Sequence, residues 1–429
     1  MSTLVYKFGG ASLKDADGIR RMAGLLTQLP QNQSCWVVVS AMGKTTNALE
    51  KVVDLLVEGK NAAEPLREIS QYHQTILSEL FPEQHPVFQI FSNLWTQWVS
   101  GISAFAQGPF DQVYDQIVSM GENLSVFIFS TWCTHTGLEA YPVSAGDWLH
   151  TDDRYREGRV DFNASARALQ EIRKNVVARI QITQGFVGKN SDGLWTTLGR
   201  EGSDYTAAIL GFLLEAKEVV IWKDVAGVLN ADPALFPQAK LLPELSYRDT
   251  IELAYFGASV IHPRTLQPLQ QRQIPLRVAS FMAPEAPGTC IREIAATPHI
   301  PAIIVKQNQV LVSLRPLNLS FVMEEITGEL FQLLARLKIR VNLIQHSAVT
   351  LRLCLDYDPR RLQAMQEHLS ENYQWEETSG LALVTLRWYT PELVSDLQKD
   401  KPILLSQQTA ETLRFITEQP PAWNSISWS

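Results

Sequence analysis

Two apolar, β-branched runs, each stopped by glycine and followed by a helix-like segment, constrain this chain more than any other feature. LVYKF (4–8) ends at Gly9-Gly10, and a helix-like stretch begins at about Lys14. CWVVVSAM (35–42) ends at Gly43, and a helix follows to about Glu58. Runs without polar alternation are what strands buried on both faces look like. A repeated strand-turn-helix unit packs as an α/β sandwich around a mostly parallel sheet. The alternation resumes with a helix from about Ser203 to Glu215 and a strand at EVVIW (218–222). Between these, IQITQGFVG (180–188) reads as one strand and LWTTLGR (194–200) as its hairpin partner across Asn190-Ser191-Asp192-Gly193. Residues 61 to about 135 read as helical. There Val87, Ile90, Phe91, Leu94, Trp98, Ile102 and Phe105 form one broad face, to which no chemistry is assigned.

The pattern changes after the proline-rich segments MAPEAPGT (282–289) and TPHIP (297–301), which mark a domain boundary. QVLVSL (309–314) reads as a strand, and Ile326, Leu330, Leu333, Leu334 and Leu337 as one helix face. IRVNLI (339–344) and VTLRLCL (349–355) read as two further strands, completing a βαββ unit. A second, less complete unit is read in LALVTLRW (381–388) with helical residues near 391–398 and 409–418. The expected domains are therefore 1–290 and 301–429.

Composition narrows the function. A chain of 429 residues holds two or three domains, and its formal net charge of −8 argues against nucleic-acid or anionic-membrane partners. Cys35, Cys133, Cys290 and Cys354 lie far apart without a metal-binding spacing, which predicts a reducing, cytoplasmic setting. MSTLV runs into KFGG without the pattern of a secretory leader, and no apolar stretch approaches the ~20 residues of a membrane span.

Several segments carry possible chemistry. In KFGGAS (7–12), a lysine at a strand end and two glycines can set an ammonium and backbone N–H groups against phosphate. A purely structural turn accounts for it as readily. Gly43-Lys44-Thr45 in SAMGKTTN (40–47) resembles the end of a Walker A loop, but the leading glycine would fall at Val38, so a P-loop is excluded. Ser40, Thr45 and Thr46 there offer hydroxyls either to a ligand or to a helix cap. Glu122 in SMGENL (119–124) can complement a helix dipole or receive a substrate ammonium. TTLGREGSDYTAA (196–208) is the most specific segment. Arg200 is suited to a carboxylate, the helix N-terminus to a phosphate, and Asp204 to orienting Lys7 or helping to hold Mg²⁺. In IWKDVAGVLNADP (221–233), Asp224, Asn230 and Asp232 follow a parallel strand, where nucleotides bind in open α/β sheets. His262, before Pro263, reads as a turn residue.

In this order, the segments resemble those of the aspartokinases, in the amino-acid kinase superfamily. KFGGAS is similar to the family's KFGGTS, SMGENLS to its SxGE element, and TTLGREGSDYTAA to TTLGRGGSDxTAA. WKDVAGVLNADP is similar to TDVDGVYTADPR, and ELAYFGASVIHPRT to ELAxFGAKVLHPRT. The resemblance covers residues 3–290, and the C-terminal βαββ pattern looks like the family's tandem ACT regulatory domain. It implies a three-layer kinase domain that transfers the γ-phosphoryl group of ATP, with Mg²⁺, to the side-chain carboxylate of L-aspartate. This is the first step toward lysine, threonine and methionine.

The roles that the resemblance implies are specific. Lys7 neutralises phosphate charge and Asp204 organises Lys7. Gly9, Gly10, Ser40, Lys223, Asp224 and Asp232 face phosphates or nucleotide. Thr46, Glu122, Arg200 and Ser203 face the substrate, with Glu122 on its amino group and Arg200 on its α-carboxylate. No protein ligand is assigned to the metal. Asn342, Ile344, Gln345 and Ser347 mark an effector site. Asn342 and Ala348 stand where lysine-sensitive relatives carry acidic residues, so threonine is expected over lysine. A homo-oligomer is expected as well.

The chain departs from the pattern at Glu201, where the family has glycine, and at Lys223, Ala226, Leu229, Ala234 and Ser259. Two alternatives remain at this point: a kinase of another small acceptor, and a degenerate kinase that senses an amino acid.

Overall fold

The computed structural model describes residues 2–176, 178–258, 261–294, 300–317, 324–399 and 401–418. The chain divides into two compact units: 1–228 with 241–251 and 260–297, and 229–240 with 252–259 and 298–429.

The strands of the first unit are β1 (Ser2–Phe8), β2 (Gln33–Val39), β3 (Ala140–Pro142), β4 (Ile180–Gln184), β5 (Val187–Lys189), β6 (Trp195–Thr197), β7 (Glu218–Lys223), β8 (Glu244–Leu245), β9 (Leu276–Ser280) and β10 (Thr289–Ile291). Eight of them form one sheet in the order β3-β4-β2-β1-β7-β9-β10-β8. Every pairing from β3 to β9 is parallel, and β10 runs antiparallel to β9. The helices are α1 (Ala16–Thr27), α2 (Thr45–Val57), α3 (Ala63–Leu80), α4 (Val87–Phe105), α5 (Phe110–His135), α6 (Phe162–Asn175), α7 (Gly202–Leu214), α8 (Tyr247–Phe256) and α9 (Pro263–Gln271).

Alternation within the buried strands builds the layers. Phe8, Val37, Val39 and Ile182 pack under Ile19 and Met22 of α1, Leu77 of α3 and Phe129 of α5. The opposite face receives α7, which lies so close that a Cβ on Gly211 would stand 2.5 Å from Val219 and 3.0 Å from Leu269 of α9.

The expected strand over 180–188 is instead two. After β4 the chain turns at Gly185, where a Cβ would meet Ser203 at 2.5 Å, and at Phe186, whose φ of +69° is left-handed. It leaves the main sheet there, and β5 pairs with β6 as a separate hairpin. Glu122 does not open a helix. It sits in the middle of the 26-residue α5, so the helix-dipole reading is ruled out.

The second unit carries β11 (Ala302–Pro316), α10 (Glu324–Arg336), β12 (Val341–His346), β13 (Leu351–Asp356), α11 (Pro359–Leu369), β14 (Tyr373–Arg387), α12 (Pro391–Gln398), β15 (Ile403–Gln408) and β16 (Thr412–Glu418). They form an antiparallel sheet in the order β12-β13-β11-β14-β16-β15. Residues 412–418, read from sequence as helical, are a strand. Leu413 and Phe415 face Leu393 and Leu397 of α12, while Ile416 faces Leu405 on the other side. A strand covered on both faces loses its polar alternation, and that erased the local signal. The unit also takes in residues 229–240 and 252–259, because Ala231 and Phe236 pack with Ile303, Leu386 and Phe415.

Candidate active site

The C-terminal ends of β1, β2 and β7 open on a cleft of about 350 Å³. Ligands collect at this end of a parallel sheet because the strands deliver loops and helix N-termini there. Register brings two lysines to one place. Lys7 pairs with Ile221 on the neighbouring strand, so Lys223, two residues further on, shares its face. Both reach the carboxylate of Asp204 in the first turn of α7: Lys7 Nζ lies 2.7 Å from Oδ1, and Lys223 Nζ 3.5 Å from Oδ2. Burial alone would raise the Asp204 pKa, but the charges of Lys7 and then Lys223 hold it below the ordinary carboxylate range. Two lysines thus converge on one buried carboxylate at the cleft.

The glycine turns fit closely around this pair. A Cβ on Gly9 would stand 3.2 Å from Lys7 Nζ, and one on Gly10 2.7 Å from the Ala41 carbonyl. Ser40 N donates to Phe8 O and Gly43 N to Gly10 O, each at 3.0 Å, so the first two turns are knitted together. Ser125 of α5 donates to Ser40 O at 2.7 Å and fixes the second turn from below.

Glu122 faces the cleft from α5. It is 2 % exposed, and its Oε2 has no hydrogen-bond partner among the described residues. Burial pushes its pKa up to about 8, against the opposing pull of the Ala41 backbone hydrogen bond and the Lys7 charge. A buried carboxyl with an unsatisfied oxygen beside a cavity is a receptor for a cation.

The cleft brings together Lys7, Gly10, Ser40, Thr46, Glu122, Ser203, Asp204 and Lys223. Gly9 lies beside it. Arg200 and Asp224 are exposed and are not among its lining residues, and Asp232 belongs to the second unit, where its Oδ1 accepts from Ala234 N at 2.9 Å. Ala41, Gly43, Phe186, Gly199, Glu201 and Gly202 also line the cleft. Of these, Glu201 is marked in the sequence, standing where the resembled motif has glycine. Thr45 turns inward instead, donating to Met42 O at 2.7 Å, with the buried His73 Nε2 at 3.4 Å.

In the second unit, Gln345 and Ser347 line a small cavity of about 240 Å³ with His346, Thr350 and Arg352. Asn342 and Ile344 are not among the residues lining it, and Asn342 is buried in a polar network. No helix among the described residues is long and apolar enough to cross a membrane. No cluster of three potential metal ligands occurs among them.

A profile of the Amino acid kinase family matches residues 2–280. Lysine-sensitive aspartokinase 3 of Escherichia coli is 33% identical over 395 residues, covering 89% of this chain and 86% of that protein. The chloroplastic aspartokinase 1 of Arabidopsis thaliana is 33% identical over 399 residues, covering 90% of this chain and 68% of that protein. The crystal structure of Escherichia coli aspartokinase III with lysine and aspartate superposes with a TM-score of 0.81 at 31% identity, over 96% of this chain and 95% of that one. The same enzyme with aspartate and ADP gives 0.79, over 97% and 96%. With its parallel-sheet cleft, paired lysines and matched motifs, the chain belongs to the amino acid kinase family, among the aspartokinases.

Proposed function

We propose that this chain transfers the γ-phosphoryl group of ATP to the side-chain carboxylate of L-aspartate, giving 4-phospho-L-aspartate and ADP. The observation that carries the reading is the pair of lysines on buried Asp204, in one cleft with the unsatisfied carboxyl of Glu122. An aspartate oxygen forms the new bond to phosphorus as the bond to the β–γ bridging oxygen breaks. The nucleophile is already ionised near neutral pH, so no general base is needed, and positioning and charge neutralisation carry the catalysis. Lys7 and Lys223 lie against the triphosphate, Asp204 holds them, and Gly9 and Gly10 present backbone N–H groups. Glu122 receives the α-ammonium and Thr46 and Ser203 line the substrate side. Arg200 meets the α-carboxylate by rotation of its exposed side chain.

The donor set suits a nucleotide-borne Mg²⁺. Lys7 and Lys223 stand among the cleft residues, and a three-ligand protein cluster is absent among the described residues. That matches an ion that keeps its waters and phosphate ligands, and when bound it spreads the charge of the transferring oxygens.

The second unit binds a regulatory amino acid. The neutral Gln345 and Ser347 in its small cavity support threonine over lysine, and β12 and β15, which pair on one side only among the described residues, support homo-oligomer formation. Four free cysteines support a cytoplasmic setting.

The test traps acyl phosphate with hydroxylamine. Coloured hydroxamate is expected with L-aspartate, ATP and Mg²⁺ together, and titrating threonine should depress it. Equal yield with L-glutamate, or none with either, defeats the assignment of substrate.

A further inference from the structure

Glu201 holds a backbone conformation that its side chain disfavours. It caps the N-terminal end of α7 at φ +52° and ψ 31°, left-handed, without a side-chain hydrogen bond to its own helix. Such a conformation costs a residue with a Cβ on the order of 1 kcal/mol and persists where surrounding contacts fix it. The contact here is long-range: Glu201 Oε2 accepts from the backbone N of His262, 61 residues away, at 2.9 Å. His262 is the N-cap of α9, and its own ring Nδ1 accepts from Arg264 N at 3.2 Å.

Arg264 grips the same loop from both sides. Its Nη1 donates to Leu198 O at 2.7 Å and its Nη2 to Gly158 O at 3.2 Å, while its guanidinium lies 4.3 Å from the centre of the Tyr205 ring. The start of α9 thus clasps the segment before the loop, at the loop and just after it. Between these ties lie Gly199, Gly202, Ser203 and Asp204, all lining the cleft. The segment HPR, left without a role by the reading of the site, touches no reacting group among these contacts.

We propose that Glu201 is a positioning residue. Its carboxylate ties the loop over 199–204 to the start of α9, and so fixes where Asp204 holds Lys7 and Lys223 and where Ser203 meets the substrate. The clasp acts through the backbone, so it governs turnover more than ligand affinity. This rests on the reading of the cleft as a kinase site.

Two variants separate the hydrogen bond from the strain. Glu201→Gly relieves the left-handed strain but deletes the tie, whereas Glu201→Gln keeps an acceptor oxygen. Glu201→Gly should lower kcat about tenfold, the scale of a misplaced catalytic group, with the KM values of aspartate and ATP within about twofold. Glu201→Gln should return kcat to within about twofold of the parent. Amide hydrogen exchange across 199–204 should quicken in Glu201→Gly and stay at the parental rate in Glu201→Gln, with or without activity. Parental kcat and exchange in Glu201→Gly would overturn the clasp, as would equal impairment in both variants, which would mean that the charge itself meets a ligand. An inactive parent would instead defeat the kinase reading, while the exchange measurement would still judge the clasp.

Discussion

Each unit of this molecule sets a lysine among polar side chains, and the two arrangements differ in what they leave unspent. In the first, Lys7 and Lys223 share one carboxylate, and Glu122 keeps an oxygen without a hydrogen-bond partner among the described residues. In the second, Lys306 donates to Asn342 Oδ1 at 2.8 Å. Asn342 donates in turn to Gln309 Oε1 and Asp356 Oδ1, each at 2.8 Å, and Gln309 donates to Asp356 Oδ1 at 2.9 Å. Burial would raise the Asp356 pKa. Hydrogen bonds from Gln309 and Asn342, then the Lys306 and Arg340 charges, bring it below the ordinary range. A network that satisfies itself rigidifies a sheet and fixes its register. Groups left partly unsatisfied beside a cavity are poised for a ligand. The contrast teaches that the polar residue type is a poor guide to function, and the unfilled hydrogen-bonding capacity a good one.

The largest expected effect separates the two lysines. Lys7→Ala should lower kcat at least about a hundredfold, or ~2.7 kcal/mol of transition-state stabilisation. Lys306→Ala should leave the uninhibited kcat within about twofold. Comparable losses in both would erase the contrast between the clusters.

Stability should move in opposite directions at the two sites. Asn342→Ala strands Gln309 and Asp356 and should cost about 1–3 kcal/mol in chemical denaturation. Glu122→Gln should do the reverse at high pH. The Glu122 pKa in the folded protein is raised from 4.5 to about 8, so its contribution to stability is fully present below pH 4.5 and lost as pH rises through 8. Removing the titration removes that loss, and Glu122→Gln should denature later than the parent at pH 9 while binding aspartate more weakly. A variant less stable than the parent at pH 9 would show Glu122 to be satisfied.

A smaller effect sharpens the same point. An aspartate ammonium favours ionised Glu122, so binding at pH 7 should release up to about one proton, visible as buffer-dependent binding heat. Below pH 8 aspartate affinity should fall by at most about tenfold per pH unit. Heat independent of the buffer would remove Glu122 from the ammonium site.

The smallest effect lies in the second unit. Gln345→Ala should weaken inhibition by threonine a few-fold and leave uninhibited turnover unchanged. An unaltered inhibition curve would exclude the cavity that Gln345 lines.

Much of this was legible in the amino-acid order because it is local. Buried runs without alternation marked β1, β2 and β7, and the glycines after the first two marked turns that a Cβ would block. Lys7, Glu122 and Asp204 stood out through such neighbours. The errors came where distant partners decide. Residues 412–418 carry too little periodicity to choose helix or strand, and pairing with β14 and β15 chose for them. Asn342 looked available for an effector because Lys306, Gln309 and Asp356 are remote in the chain. Arg200, bracketed by glycines, is exposed and outside the residues that line the cleft, so its place at the substrate remains a proposal.

By itself the sequence determined the parallel α/β core, and it marked Lys7, Gly9, Gly10 and Asp204 as candidates for a phosphate site. Backbone sterics and strand burial act over a few residues and leave their mark in order and spacing. Tertiary structure alone decided that Lys223 joins Lys7 on Asp204, that Asn342 is consumed internally, and that Glu201 reaches His262. These depend on strand register and loop closure, which bring together side chains tens to hundreds of residues apart. Whether a buried polar group is satisfied is a property of that meeting, and no single segment contains it.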